Sequence, residues 1–169
     1  MLDSSASTLL DRLLAANARY AAGRSLAGVE AAPSQRLAIV TCMDARIDPL
    51  PLLGLRLGQA HVLRNAGARV TGDVLRSLVI SQQALGTNVV VVMPHTGCGL
   101  LGLDPATLRP RGDALRPAPH LDFHTMSDLY STLQQDLRRL RESPWIGPEA
   151  EIHGLILDTD TGRVLRPDH

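Results

Sequence analysis

The chain has 169 residues, 44% of them hydrophobic, with 17 arginines and no lysine set against 17 acidic residues for a formal charge of zero. That is enough apolar material for one domain with a core and too little chain for two, and a balanced charge leaves no basic footprint for nucleic acid or for an anionic membrane surface. The first residues lack a charged and apolar leader pattern, and the longest aliphatic stretch, 89–93, is too short to span a bilayer, so a soluble cytoplasmic protein is expected.

Leu9, Leu10, Leu13, Leu14 and Ala18 recur at helical spacing and predict an N-terminal helix over 7–22, stopped by Gly23 and obliged to bury one face. Residues 24–35, rich in Gly, Ala, Ser and Pro, read as a loop wrapping to the first strand. Four short apolar runs follow, at 37–40, 61–63, 88–93 and 153–157. Continuous apolar runs mark strands buried on both faces, hence a parallel sheet with helical crossovers. The crossovers are a short helix at 48–55 with Pro49 in its first turn, and an amphipathic helix at 72–85 that turns Val74, Leu75, Leu78, Val79 and Ala84 inward and stops at Gly86. Residues 99–126, with four prolines, read as irregular, and a last helix at 127–141 is expected to be capped by Ser127. The tail 158–165 resembles a turn leading to an edge strand. The whole reads as one α/β domain over 1–169, with 1–35 as its N-terminal arm.

Only two cysteines are present, and each closes an apolar run: Cys42 in Cys42-Met43-Asp44-Ala45-Arg46, and Cys98 in His95-Thr96-Gly97-Cys98-Gly99. Ligands in open α/β sheets bind beyond the carboxyl ends of the strands, so Cys42, His95 and Cys98 are expected to meet in one crevice. Two thiolates and an imidazole suit a tetrahedral Zn²⁺ with its fourth position free. A redox thiol pair is the rival, but neither cysteine stands in a Cys-x-x-Cys motif. Asp44 is then either a fourth ligand or the partner of a metal-bound water, with Arg46 holding it through a bidentate contact. Two thiolates and a neutral imidazole cancel the charge of the ion, so water there is acidified less than beside three imidazoles, and an oriented acceptor such as Asp44 gains importance.

These motifs, with Arg64-Asn65-Ala66-Gly67 at the end of the second strand, resemble the β-class carbonic anhydrases, most of all their compact microbial branch. The resemblance spans roughly residues 5–165. It implies a central, mostly parallel four-stranded sheet with an added edge strand, flanked by helices, and a homodimer, or a tetramer of such dimers, clasped by the N-terminal helix. It also implies Zn²⁺ held by Cys42, His95 and Cys98, with water as the fourth ligand when Asp44 is tied to Arg46 and Asp44 itself in a closed form. The activity implied is reversible hydration of CO₂ to bicarbonate by zinc-bound hydroxide, with Asp44 and Arg46 as catalytic residues. Hydrolysis of carbonyl sulfide or carbon disulfide on the same metal, and a non-catalytic zinc-stabilised dimer, are the alternatives. Gly97 stands where compact members often carry an acid, and with one Phe in the chain the substrate wall falls to Leu, Val and Met. His120 and His124 are expected to be exposed loop residues, with a proton relay as the sharper reading. His61 and His153 read as core histidines with backbone partners, and the Arg64–Gly67 turn as the floor of the crevice.

Overall fold

The computed structural model describes residues 8–24, 26–109 and 121–167. Four strands, β1 (Leu37–Cys42), β2 (Ala60–Asn65), β3 (Val89–Met93) and β4 (Glu151–Gly154), form one sheet in the order β2-β1-β3-β4. Every pairing in it is parallel, with Leu37 opposite both Ala60 and Val89. β1 and β3 are central, and from their second residues onward their side chains are buried, as apolar runs such as Ile39-Val40 and Val90-Val91-Val92 require. The edge strand β2 alternates between half-buried and exposed positions.

Two apolar layers cover the sheet. One joins Val40, Val90 and Val92 to Val74 and Leu78 of α3 (Gly72–Gln83) and to Leu133, Leu137 and Leu140 of α4 (Leu129–Arg141). The other gathers Ile47, Met93, Leu100, Met126 and Leu157 around Cys42 and Cys98. Helix α3 is capped by Thr71, whose side chain accepts from the Val74 N–H, and ends at Gln83 with Gly86 in the left-handed region three residues on. Ala84 therefore lies past the helix and is exposed rather than inward.

Several boundaries differ from the expectation for local reasons. The cap of α4 is Asp128, whose carboxylate accepts from the Ser131 N–H at 2.7 Å, and not Ser127. Helix α2 is only Pro49–Leu52, because Gly54 adopts a positive φ and turns the chain. The fourth apolar run divides: β4 ends at Gly154, while β5 (Ile156–Leu157) continues beside the chain that follows β3, its Leu157 N–H donating to Pro94 O at 3.0 Å, and pairs antiparallel with β6 (Val164–Leu165). The added strand, β6, thus borders β5 in a short two-stranded ribbon that extends past the end of β4. Helix α1 (Leu9–Gly23) carries Gly23 as its last residue, starts from a reciprocal Thr8–Asp11 cap, and buries none of its residues against the rest of the chain.

His61 has the backbone partner expected, Ala31 O at 2.9 Å, and also pairs with Ser81 Oγ at 2.7 Å. His153, on the edge strand, instead faces the Glu151 carboxylate at 3.5 Å. His124 is partly exposed beside Asp122, and His120 lies outside the described residues. No helix among the described residues is long and apolar enough to cross a membrane.

Leu78, 1% exposed between α3 and the sheet, sets the scale of the core. Leu78→Ala is expected to lower unfolding free energy by about 2–5 kcal/mol, read by denaturant titration at fixed protein concentration.

Candidate metal centre

The strand order creates the site. From β1 the chain moves outward to β2, then crosses back over β1 to start β3 on its other side. Adjacent connections therefore diverge above β1 and β3, and such a divergence leaves a crevice at the strands' carboxyl ends. Cys42 is the last residue of β1, and His95 follows β3 by two residues. The ligand atoms of Cys42, His95 and Cys98 lie within 4.8 Å of one another, all three residues are buried, and the two sulfurs are 4.0 Å apart. The sequence-predicted trio is thus brought together.

Local contacts hold each member. The ribbon strand β5 pairs with the backbone at His95, and the Thr96 N–H donates to Leu157 O at 2.9 Å. Gly97 has φ +63, which lets the chain turn Cys98 back toward His95 and explains why a glycine suits this position. Around Cys42, the Gly67 N–H donates to Sγ at 3.4 Å. Gly67 has φ +77, and a Cβ there would meet Leu100 Cδ2 at 2.6 Å.

His95 is fully buried, and its Nδ1 is 2.8 Å from the Thr96 carbonyl oxygen. A carbonyl only accepts, so Nδ1 carries the proton and Nε2 presents its lone pair. Among the described residues, Nε2 is the buried side-chain polar atom with no hydrogen-bond partner. A buried acceptor left unpaired costs about 1–3 kcal/mol, and it points at two thiols. This donor set fits a tetrahedral thiolate- and imidazole-binding cation. Burial, reinforced by the neighbouring Cys42, raises the Cys98 thiol above its ordinary range in the metal-free chain.

Asp44 flanks the cluster, with Oδ2 3.8 Å from His95 Nε2. Arg46 grips it in a fork, Nε to Oδ1 at 3.0 Å and Nη2 to Oδ2 at 2.8 Å, while the Arg46 N–H also donates to Oδ1 at 3.0 Å. The Arg46 guanidinium, then its backbone N–H, hold the Asp44 carboxyl far below the usual carboxylate range. The guanidinium is in turn raised, first by Asp44 and less by Asp160 of the ribbon turn.

A cavity of about 560 Å³ opens in front of this group, lined by Asp44 and the cysteines together with Leu100, Leu103, Leu108 and Phe123. The single Phe therefore joins the leucines in the wall. The Arg64–Gly67 turn shapes the floor as expected through Gly67, but the Arg64 side chain adds a hold not foreseen: Nε donates to Cys42 O at 2.9 Å and Nη2 to Asp44 O at 2.7 Å. A second unforeseen pair is Arg69 with Asp136, 2.7 Å apart and mostly buried. Its signal was available, because Asp136 interrupts the apolar stripe Leu133, Leu137, Leu140 of α4.

Residues 37–117 match the family model described as carbonic anhydrase. The chain is 39% identical over 158 residues to a protein of Mycobacterium tuberculosis named beta-carbonic anhydrase 1, covering 93% of this chain and 96% of that one. It is 32% identical to a carbon disulfide hydrolase of Acidithiobacillus thiooxidans over 80% of this chain and 78% of the relative. The crystal structure of carbonic anhydrase from Streptococcus mutans superposes with a TM-score of 0.86 at 42% identity, covering 96% of this chain and 99% of that one.

Gly67→Ala is expected to destabilise the fold by about 1–3 kcal/mol, from a strained φ and a clash with packed Leu100. Gly99→Ala, whose added Cβ meets nothing within 4 Å, should leave the denaturation midpoint nearly unchanged.

Proposed function

The chain belongs to the β-class carbonic anhydrases, and from that premise we propose that it hydrates carbon dioxide reversibly with a zinc ion held by Cys42, His95 and Cys98. The observation that carries the ligand assignment is the unpaired, buried Nε2 of His95 facing two buried thiols. Zinc held there would supply the Lewis acidity that makes a water nucleophilic, less strongly than at a three-imidazole site.

The protein's own groups do the rest. Asp44 accepts three hydrogen bonds from Arg46 on its two oxygens, which fixes its plane beside His95 and keeps it ionised. So held, the carboxylate orients a water by accepting its hydrogen bond and is too weak a base to keep the proton, which passes on to solvent. Tied to Arg46, Asp44 would leave the fourth position of a zinc held by the three ligands to water, the open form. Carbon dioxide has no hydrogen to donate, and the leucines and Phe123 offer it apolar contact next to the nucleophile.

A homodimer clasped by α1 accounts for an element that has no cover of its own. Leu9, Leu10, Leu13 and Leu14 are each more than half exposed, and an amphipathic helix with an uncovered apolar stripe is a partner surface. Two reduced thiols as ligands suit the reducing cytoplasm. The second reading, hydrolysis of carbon disulfide, is favoured by the relative of that name and by an apolar cavity that distinguishes poorly between linear triatomic molecules.

Stopped-flow CO₂ hydration on zinc-loaded protein is expected to exceed the buffer rate between about pH 7 and 9. Asp44→Asn should lose most turnover while retaining zinc, and sulfide release from carbon disulfide on the same preparation should stay far below CO₂ turnover. No CO₂ rate, with or without sulfide release, rejects the assignment. For the dimer, Leu10→Asp with Leu14→Asp is expected to shift sedimentation from two chains toward one, and an unchanged dimer would exclude α1 as the clasp.

A further inference from the structure

Arg69 lies outside the ligand cluster, yet it joins the turn carrying Gly67, helix α4 and the segment through which Phe123 lines the cavity. Its backbone N–H donates to Asn65 Oδ1 at 2.8 Å, and its carbonyl accepts from Asn65 Nδ2 at 2.7 Å, which locks it to the turn carrying Gly67. From there Nε donates to Asp136 Oδ2 at 2.7 Å, and Nη1 donates to the carbonyl of His124 at 2.6 Å and, more weakly, to that of Thr125 at 3.5 Å. The two side chains are only 14% and 7% exposed, so the guanidinium fork is a desolvated, directional anchor and not a surface ion pair.

What it anchors is strained. His124 has φ +50, one of the few non-glycine residues in the left-handed region, and such a conformation persists only where the surroundings over-determine it. The residue before it is Phe123, on the cavity wall. Two residues after it, Met126 is buried and exchanges backbone hydrogen bonds with the Leu100–Gly102 stretch, through Gly102 N to Met126 O at 2.7 Å and Met126 N to Leu100 O at 3.3 Å. Between that pairing and Phe123, Arg69 is, among the described residues, the side chain that grips the carbonyls.

We propose that Arg69, backed by Asp136, is a positioning residue for substrate: it pins the His124 and Thr125 carbonyls so that Phe123 stays against the cavity that Cys42 and Cys98 also line. This rests on the enzymatic reading above. Because the wall touches an apolar substrate and not the nucleophile, losing the anchor weakens substrate binding and leaves the chemical step intact, the signature of uniform binding.

Arg69→Lys keeps a cation beside Asp136 but loses the planar fork. It is expected to raise KM for CO₂ roughly tenfold, with kcat and zinc content unchanged and with faster amide exchange across 121–126. Phe123→Ala should raise KM similarly, and adding Arg69→Lys to it should raise KM no further, since both act through one wall. If Arg69→Lys does not fold, Arg69→Met combined with Asp136→Leu removes both charges together and carries the same expectation. An unchanged KM, a joint loss of kcat and zinc, independent effects of Arg69→Lys and Phe123→Ala, or unaltered exchange at 121–126 would each overturn the proposal. A wild-type protein without CO₂ turnover instead rejects the enzymatic reading, and amide exchange alone then decides whether Arg69 holds the wall.

Discussion

Two buried thiols and one unpaired imidazole nitrogen, gathered at the base of an open crevice, are the constraint around which this protein is organised. Each group alone is unremarkable to bury; together they leave a polar donor set whose only efficient satisfaction is a shared cation. The cost is tolerable because few other buried polar groups are left wanting. Thr41 donates to Met93 O, and Ser81 meets both Thr87 and His61. Against that background, His95 Nε2 stands apart as the atom the fold leaves for something else.

The parallel sheet is what makes the gathering possible. Cys42 and His95 are far apart in the chain, yet β1 and β3 are direct neighbours in register, so their carboxyl ends emerge side by side. The supporting contacts come from other elements. Arg64 of β2 holds the carbonyls on either side of Met43, Gly67 donates to the Cys42 sulfur, and the β5–β6 ribbon braces the backbone after His95. The ribbon matters to the site even though it lies outside the main sheet. It also brings Asp160 near Arg46, adding negative charge behind the guanidinium that fixes Asp44. The Phe123 segment is held from farther away, through Arg69 and Asp136.

Much of this was legible in the residues. The two central strands, the α3 crossover and the convergence of Cys42, His95 and Cys98 followed from apolar runs that ended in metal-ligating side chains, because burial on both faces and strand-end ligand binding are strong constraints. The Asp44–Arg46 pair was legible from its spacing. Less legible was whatever depends on three-dimensional competition. Ser127 and Asp128 are both acceptable caps, and only the approach of the chain decides that Asp128 reaches the Ser131 N–H. The apolar run 153–157 reads as one strand, but it divides after Gly154, where a Cβ would come within 2.7 Å of Leu137 Cδ1, and its second half turns to β6. Helix α1 was legible from its leucine spacing, and its apolar face, expected to be covered by a partner, is uncovered within the chain. Arginine side chains that reach backwards to carbonyls, as Arg64 and Arg69 do, leave almost no periodic signal.

The claim that most of the account depends on is the identity of the donors around one metal ion. X-ray absorption at the zinc edge of purified protein tests it most directly. The account predicts one zinc per chain surrounded by two sulfur atoms, one imidazole nitrogen and one light oxygen or nitrogen donor, with one sulfur lost in Cys98→Ser. A spectrum without sulfur scattering, with four sulfurs, or with no stoichiometric metal would contradict it.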